Sequence, residues 1–275
     1  MNLTLKNFQM KAIAELNAAC RQSKKEIVLK SCTGSGKTII LTHFIDRFIK
    51  ENSKMCFVWF TPGKGNLEDQ SKAKMDLYIP LAQTKLLSDV LTSGFEENDV
   101  AFINWEMVTN KKNNAIQDRE HQNLIDRIRE AQLNGLHFIV IVDEQHFNNT
   151  YKANEIINLF NADKIIRASA TPLNYGNAFL IEIDEEDVIA EGLIKKAIYI
   201  NEGIPQNTEI ENEEKYLLEL ALEKYNRLVE EYKKVKSKVN PLIVVQIPNK
   251  SEEKQAKIEE ILEEKGITYL NKRLA

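Results

Sequence analysis

Residues 27–38 read Ile-Val-Leu-Lys-Ser-Cys-Thr-Gly-Ser-Gly-Lys-Thr, an apolar run that leads through a glycine-rich loop into an amphipathic helix pattern. Glycines let the backbone N–H groups of such a loop curl around phosphates, a lysine supplies a point charge to the β- and γ-phosphate oxygens, and a threonine hydroxyl reaches Mg²⁺. The stretch therefore predicts a strand, a phosphate-binding loop and a helix. The residues expected at the nucleotide are Thr33, Gly34, Ser35, Gly36, Lys37 and Thr38, and Ser31 stands where such a loop most often has a glycine.

A second apolar run, Phe138–Val142, ends in the sequence Asp143-Glu144-Gln145-His146. An aspartate at the carboxyl end of a buried strand can hold Mg²⁺, and the adjacent glutamate can orient or deprotonate a water molecule for in-line attack on the γ-phosphate. Together with the phosphate loop, this pair predicts a protein that binds and hydrolyses a nucleoside triphosphate. The four histidines have no metal-ligand spacing, which argues against a zinc site.

The composition is that of a globular protein. With 275 residues, of which 43% are hydrophobic and 28% charged, we expect neither disorder nor a membrane partner. The N-terminal sequence lacks a basic-then-apolar leader, and Cys20, Cys32 and Cys56 form no disulfide framework, so we expect a cytoplasmic location. The net charge of −4 is not the basic footprint of a static DNA-binding protein, although a motor can also grip phosphates through backbone N–H groups.

Short β-rich runs alternate with amphipathic helices, which is the pattern of a parallel α/β sheet covered by helices. The predicted strands are Ile27–Leu29, Met55–Phe60, Val100–Asn104, Phe138–Val142, Lys164–Ala168, Phe179–Ile183, Ala197–Ile200, Leu242–Ile247 and Ile267–Leu270. The predicted helices are Phe8–Cys20, Lys37–Lys50, Gln122–Gln132, Asn154–Phe160, Glu213–Val235 and Glu252–Lys265.

A domain boundary is predicted near Glu191–Ile194, after which a new series of strands and helices begins. The first domain then comprises residues 1–194 and the second residues 195–275. Parallel sheets in complete domains usually have about five or six strands. The second series contains only the last three strands named above, so we expect it to be incomplete and truncated.

These motifs resemble those of the superfamily 2 helicases and translocases. Thr33–Thr38 is similar to motif I, Asp143–His146 to motif II of the DEAD/DEAH type, and Ser169-Ala170-Thr171-Pro172 to motif III. Leu5-Lys6-Asn7-Phe8-Gln9 resembles the upstream segment in which a glutamine reads the adenine edge. Trp59-Phe60-Thr61-Pro62, followed by Leu67 and Gln70, resembles motif Ia.

Three further segments resemble the Res subunits of type III restriction enzymes, so the resemblance spans nearly the whole chain. They are Asn104-Trp105-Glu106, residues 188–196 (Val-Ile-Ala-Glu-Gly-Leu-Ile-Lys-Lys) and residues 240–249 (Asn-Pro-Leu-Ile-Val-Val-Gln-Ile-Pro-Asn). The resemblance implies a RecA-like P-loop domain in residues 1–194 and an incomplete second RecA-like lobe in residues 195–275.

The resemblance also implies roles for individual residues. Gln9 is expected to recognise adenine. Lys37 and Thr38 are expected to hold phosphate and Mg²⁺, and Asp143 and Glu144 to serve the metal and the attacking water. The residues expected to couple the two lobes are Gln145, His146, Ser169 and Thr171, and those expected on the nucleic-acid face are Thr61, Pro62, Asn104, Trp105 and Glu106.

The function that the resemblance implies is ATP- and Mg²⁺-dependent movement on double-stranded DNA, together with the methyltransferase/specificity subunit of a restriction complex. One alternative is another superfamily 2 motor, such as a type I restriction motor or a DEAH-type RNA helicase. The other is a nucleotide-binding module without turnover. The family's arginine finger and nuclease domain would lie further downstream, so we expect this chain to bind ATP far better than it hydrolyses it.

Overall fold

Strand β1 (Glu26–Lys30) lies inside a sheet and pairs in parallel with a neighbour on each side. The computed structural model describes residues 4–62, 67–79, 82–109, 114–143, 151–173, 176–198, 212–249 and 251–268. The chain divides into two compact units, Met1–Ala197 and Ile198–Ala275, and the sheet belongs to the first unit.

Within the described residues, the sheet has seven strands and all of its pairings are parallel. Besides β1, the strands are β2 (Met55–Thr61), β3 (Gln83–Leu86), β4 (Asp99–Asn104), β5 (His137–Asp143), β6 (Lys164–Ser169) and β7 (Phe179–Glu182). Their order across the sheet is β3-β4-β2-β5-β6-β1-β7. Parallel neighbours require crossover connections, most of which are helical here.

The helices of the first unit are α1 (Asn7–Cys20), α2 (Lys37–Glu51), α3 (Leu67–Tyr78), α4 (Leu87–Ser93), α5 (Trp105–Thr109), α6 (Asn114–Leu133), α7 (Tyr151–Leu159) and α8 (Glu185–Ala190). Those of the second unit are α9 (Glu213–Lys234) and α10 (Glu252–Glu264). In the ranges that the structure describes, none of these helices is long and apolar enough to cross a membrane.

The core of the first unit has two layers, one on each face of the sheet. Side chains alternate along a strand, so Phe57 and Trp59 of β2 pack into one layer, whereas Val58 and Phe60 pack into the other. Helices α1, α2, α3 and α8 supply apolar side chains to the first layer, and α4–α7 supply them to the second. Because both faces are covered, the central strands read as continuous apolar runs.

The predicted fold class is confirmed for the first unit, which is a parallel α/β sheet flanked by helices. The first six predicted strands match β1, β2 and β4–β7 to within one residue at each end. Strand β3 was missed because Gln83-Thr84-Lys85-Leu86 is short and mostly polar, as an edge strand can be. The short helices α4, α5 and α8 and the polar helix α3 were missed for lack of a long apolar periodicity.

In the part of the second unit that the structure describes, helices α9 and α10 pack against each other. Leu218 of α9 packs against Ile261 and Leu262 of α10. The predicted strand Leu242–Ile247 is wrong for this structure, since these residues pair with no strand in the described ranges, and Leu242 is 83% exposed. The described ends of the other two predicted strands, 197–198 and 267–268, are not in strands either, and the remainder lies outside the described residues.

A buried ion pair joins the neighbouring strands β3 and β4 where β4 begins. Lys85 Nζ of β3 lies 2.7 Å from Asp99 Oδ2 of β4 and donates to the Gly94 carbonyl at 3.0 Å. The Glu96 N–H donates to the same Asp99 oxygen at 2.6 Å. Burial raises the pKa of the Asp99 carboxyl above its usual value, against the lowering effect of Lys85. The lysine is therefore needed to offset the desolvation of the carboxylate.

We expect Lys85→Met to destabilise the first unit by about 3 kcal/mol, because it leaves the Asp99 carboxylate buried without its cation. Urea denaturation followed by circular dichroism measures the change. The matched control is Lys50→Met, since Lys50 forms a half-exposed pair with Asp46 within α2 and such pairs contribute about 0.5 kcal/mol. Equal effects of the two substitutions would contradict the role of the buried pair.

Candidate nucleotide-binding site

The carboxyl ends of all the strands meet at one edge of the sheet, because every pairing is parallel. The loop that begins at Ser31 follows β1; the neighbouring strand β6 ends at Ser169, and β5, on the far side of β6, ends at Asp143. Strands β2 and β4, further along the same edge, end at Thr61 and Asn104. Open α/β sheets bind their ligands at this edge. The fold therefore brings the predicted nucleotide residues and the predicted nucleic-acid residues to one surface.

The phosphate loop connects β1 to α2 and has a braced backbone. Gly34 and Gly36 have φ values of +89° and +85°, in the left-handed region that favours glycine. The Ser35 hydroxyl donates to the Cys32 carbonyl at 2.8 Å, and the Ser31 hydroxyl lies 2.5 Å from the Ser35 hydroxyl. The serine at position 31 thus contributes a hydrogen bond that a glycine there would lack.

Lys37 is the first residue of α2 and is only 8% exposed. Its Nζ donates to the carbonyl oxygens of Ser31 and Cys32, at 3.2 and 3.5 Å. The ammonium group therefore lies within the loop, at the helix N-terminus where free N–H groups and the helix dipole favour an anion. Thr38 follows it in the first turn of α2 and is half-buried. This arrangement can bind phosphate.

Gln9, near the start of α1, is tied to the same loop. Its Oε1 accepts from the Lys6 N–H at 3.0 Å, and its Nε2 donates to the Ser35 carbonyl at 3.1 Å. A Cβ added to Gly36 would lie 2.8 Å from Gln9 Nε2, so the amide packs directly on the loop. Gln9 therefore helps to position the phosphate loop, and its recognition of adenine stays a prediction.

The end of β6 is hydrogen-bonded to the start of the loop. The Ser31 N–H donates to the Ser169 carbonyl at 3.1 Å, and the Ser169 hydroxyl accepts from the Thr171 N–H at 3.2 Å. Ser169 is fully buried, whereas Thr171 is exposed. Because Ser31 is bonded to Ser169, a shift of residues 169–171 would displace the start of the phosphate loop. The predicted coupling residues Gln145 and His146, and the predicted catalytic Glu144, lie outside the described residues.

The oxygen atoms of Thr38 and Asp143 are the groups that could hold Mg²⁺. Hydroxyl and carboxylate oxygens are hard donors of the kind that Mg²⁺ prefers, and this ion usually takes only one or two protein ligands beside substrate phosphates and water. Asp143 is the last residue of β5 and is half-buried. A single strand, β6, separates β5 from β1 in the sheet. Within the described ranges, no group of three or more His, Cys, Asp or Glu side chains could hold a metal. The two residues fit a shared metal–phosphate site better than a metal site of their own.

A cleft of about 730 Å³ lies beside the phosphate loop, between α1, β7 and α8. Its walls include the loop residues Ser31–Thr33 and the apolar side chains of Phe8 and Ile181. Carboxylates from the start of α8 also line it, namely those of Asp184, Glu185 and Asp187. Burial raises the pKa of the Cys32 thiol in the cleft wall, and Glu185 adds to this effect, so the thiol stays neutral. The cleft has room for a nucleoside whose phosphates extend into the loop.

These carboxylates were missed by the sequence reasoning. The signal that could have found them is the run Asp184-Glu185-Glu186-Asp187 directly after a strand. Asp184 caps α8 by accepting from the Glu186 N–H at 3.0 Å, so the run marks a helix N-terminus at the ligand-binding edge. Carboxylates there can accept hydrogen bonds from ribose hydroxyls.

At the other end of the edge, the predicted nucleic-acid residues differ in their exposure. Thr61 and Asn104 are buried, Pro62 is half-buried and Glu106 is exposed. The Asn104 amide is fixed, since it donates to Glu68 Oε1 at 3.1 Å and accepts from the Glu106 N–H at 2.8 Å. Asn104, Glu68 and Glu106 are thus joined by hydrogen bonds at the end of β4.

The position of the Trp105 side chain differs from the prediction. The sequence predicts it on the nucleic-acid face, but its side chain is 1% exposed and stacks on Phe60, with ring centroids 4.1 Å apart. An aromatic residue after a strand can face either way, and here it turns into the apolar layer. Trp105 therefore packs in the core in this structure and offers no ring face for nucleic-acid bases.

A sequence model of the family described as "Type III restriction enzyme, res subunit" matches residues 2–174. No curated protein matches the sequence of the chain. Among solved structures, the chain is similar to a nuclease-deletion mutant of the type ISP restriction-modification enzyme LlaGI in complex with a DNA substrate mimic. The identity is 15% and the TM-score 0.49, over 70% of this chain and 21% of that one.

The chain is also similar to the SWI2/SNF2 ATPase core of Sulfolobus solfataricus in complex with double-stranded DNA, at 15% identity and a TM-score of 0.46, over 62% of this chain and 32% of that one. A third similar structure is the type ISP enzyme LlaBIII bound to DNA, at 14% identity and a TM-score of 0.44. The match covers 13% of the LlaBIII chain. The chain therefore spans a third or less of each of these three proteins. Because the family match covers more than half of the 275 residues, the chain belongs to the family of the type III restriction enzyme res subunit and carries a helicase-type motor domain of superfamily 2.

Proposed function

We propose that the chain is the ATP-binding motor portion of a DNA translocase, as in the res subunit of a type III restriction enzyme. The observation that carries this proposal is the buried Lys37 ammonium inside a braced loop at the N-terminus of α2. Asp143 ends a strand on the same edge. A cation that is already desolvated and aimed at loop carbonyls can exchange them for phosphate oxygens at little reorganisation cost.

The surroundings of the loop suit ATP as a whole. The triphosphate would take the loop N–H groups and Lys37, and the nucleoside would fill the adjoining cleft with its ribose towards the carboxylates of α8. Thr38 and Asp143 would hold Mg²⁺, which neutralises charge on the phosphate oxygens when it is bound. Glu144 would position the attacking water. Carboxylates outnumber lysines in the described lining of the cleft, so the triphosphate would be favoured at the loop over the cleft.

The link to DNA rests on the shared edge of the sheet. Thr61 ends β2, which neighbours β5, and Asn104 ends β4 on the far side of β2, while the Ser31–Ser169 hydrogen bond ties β6 to the phosphate loop. Strand ends held in one rigid sheet can transmit a displacement from one ligand to the other. We infer double-stranded DNA as the polymer and a methyltransferase/specificity subunit as the protein partner from family membership. A motor of this kind would work in the cytoplasm.

Lys37→Ala should weaken ATP binding by about 100-fold, or about 3 kcal/mol, because it removes the buried cation that would pair with phosphate. Titration with a fluorescent ATP analogue measures the affinity. Lys50→Ala serves as the matched control, since Lys50 lies on the same helix in an exposed ion pair. An unchanged affinity of the Lys37 variant would refute the assignment of the phosphate loop.

Gln9→Ala should weaken ATP and GTP binding alike, by about fivefold, because the loop loses the hydrogen bond that holds the Ser35 carbonyl. The same titration with both nucleotides gives the comparison. Asn17→Ala is the control, since Asn17 is a buried amide on the same helix that donates to the Ile13 carbonyl within that helix. A loss confined to ATP would show instead that the amide reads adenine.

The DNA-coupled function is tested by single-turnover ATP hydrolysis with duplex DNA, single-stranded DNA or RNA. We expect only duplex DNA to raise the rate. The Glu144→Gln variant should retain ATP binding and lose about 10²- to 10⁴-fold in rate, the range for a positioned general base. Stimulation by RNA alone would favour an RNA helicase, and ATP binding without any stimulated hydrolysis would favour a module without turnover. Wild-type rates in the variant would exclude Glu144 as the water-positioning residue.

A further inference from the structure

Helix α8 ends in a turn that reverses the chain. The Gly192 N–H donates to the Ile189 carbonyl at 2.9 Å, and the Leu193 N–H donates to the Val188 carbonyl at 3.2 Å. These two bonds, with Gly192 at a φ of +71°, form the Schellman motif that closes many helices. Val188 is fully buried in the core and anchors the helix to the sheet. The path of the next two residues, Leu193 and Ile194, is therefore fixed by hydrogen bonds and packing.

That path crosses the phosphate loop. A Cβ added to Gly34 would lie 2.8 Å from Ile194 Cγ2 and 3.9 Å from the Leu193 carbonyl oxygen. Ile194 is itself half-buried and packs against the same apolar layer as α1 and α2. The loop at Gly34 is thus in contact with a side chain that comes from a distant part of the sequence. We call residues 191–194 the strap.

The strap is also tied to the segment that holds the other side of the loop. Glu191 Oε2 lies 3.1 Å from Lys6 Nζ. The Lys6 N–H in turn donates to Gln9, whose amide donates to the Ser35 carbonyl. Two neighbouring loop residues, Gly34 and Ser35, are therefore held from two directions by elements that are linked to each other.

We propose that Ile194 is a positioning residue for the nucleotide site and that its contact with Gly34 sets the ATP affinity of the loop. The inference rests on the proposed ATP-binding function and assigns a role to the segment 188–196, for which the proposed mechanism has none. Ile194 limits the outward movement of Gly34, so the N–H groups of the loop are held ready for phosphate. By linkage, a nucleotide that binds this conformation also stabilises the strap.

A double-mutant cycle tests the contact, because its steric part resides in one methyl group. Gly34→Ala should weaken ATP binding by about tenfold, through the positive φ and the clash with Cγ2. Ile194→Ala removes Cγ2, so the Gly34→Ala penalty should become about threefold smaller in that background. Ile194→Val keeps both γ carbons and is the matched control, in which the penalty should be unchanged.

A penalty that is the same in the wild-type, Ile194→Ala and Ile194→Val backgrounds overturns the proposal. A second measurement needs neither ATP nor the Gly34 substitution. Amide exchange of residues 31–36, measured by mass spectrometry, should be faster in Ile194→Ala than in the wild-type protein and unchanged in Ile194→Val. Equal exchange in all three proteins also overturns the proposal. If the wild-type protein binds no ATP, the proposed function fails, whereas the exchange rates still report whether Ile194 holds the loop.

Discussion

The parallel pairing of β1 between β6 and β7 is the constraint on which the rest of the site depends. It buries the strand on both edges and aims its carboxyl end, where the phosphate loop begins, at the same side as the ends of β5 and β6. The Ser31–Ser169 hydrogen bond joins the residue after β1 to the last residue of β6 and so continues the β1–β6 pairing. The loop thus extends the β1–β6 pairing, and the sheet fixes the position of its first residue.

The phosphate loop already holds a conformation that suits an anion. Lys37 is held by carbonyl groups, and hydroxyl and amide groups from Ser31, Ser35 and Gln9 fix the backbone around it. Such preorganisation lowers the entropy that binding would otherwise lose. The cleft beside the loop has more carboxylates than lysines in its described lining and so favours the opposite charge. In the proposed function, this contrast would orient a nucleotide with its triphosphate at the loop and its sugar in the cleft.

The fold of the first unit could be predicted from the sequence because its central strands carry continuous apolar runs and its phosphate loop has a local motif. Other features have no such local signal. The direction of the Trp105 ring depends on its stacking against Phe60 in the apolar layer. The position of the strap depends on a contact between Gly34 and Ile194, which are far apart in sequence. The segment Leu242–Ile247 has high β-propensity, but a strand exists only where a partner backbone lies beside it. That no strand forms at Leu242–Ile247 in this structure shows that β-propensity alone does not specify strand pairing.

The burial of the indole rings has a practical consequence. The chain has two tryptophans, Trp59 and Trp105, and both are buried in the first unit. Neither indole nitrogen has a hydrogen-bond partner within the described part of the chain. Their fluorescence should therefore resemble that of indole in an apolar solvent and shift to the red when the first unit opens. Since the second unit contains tyrosines but no tryptophan, this emission reports the unfolding of the first unit alone without any added label.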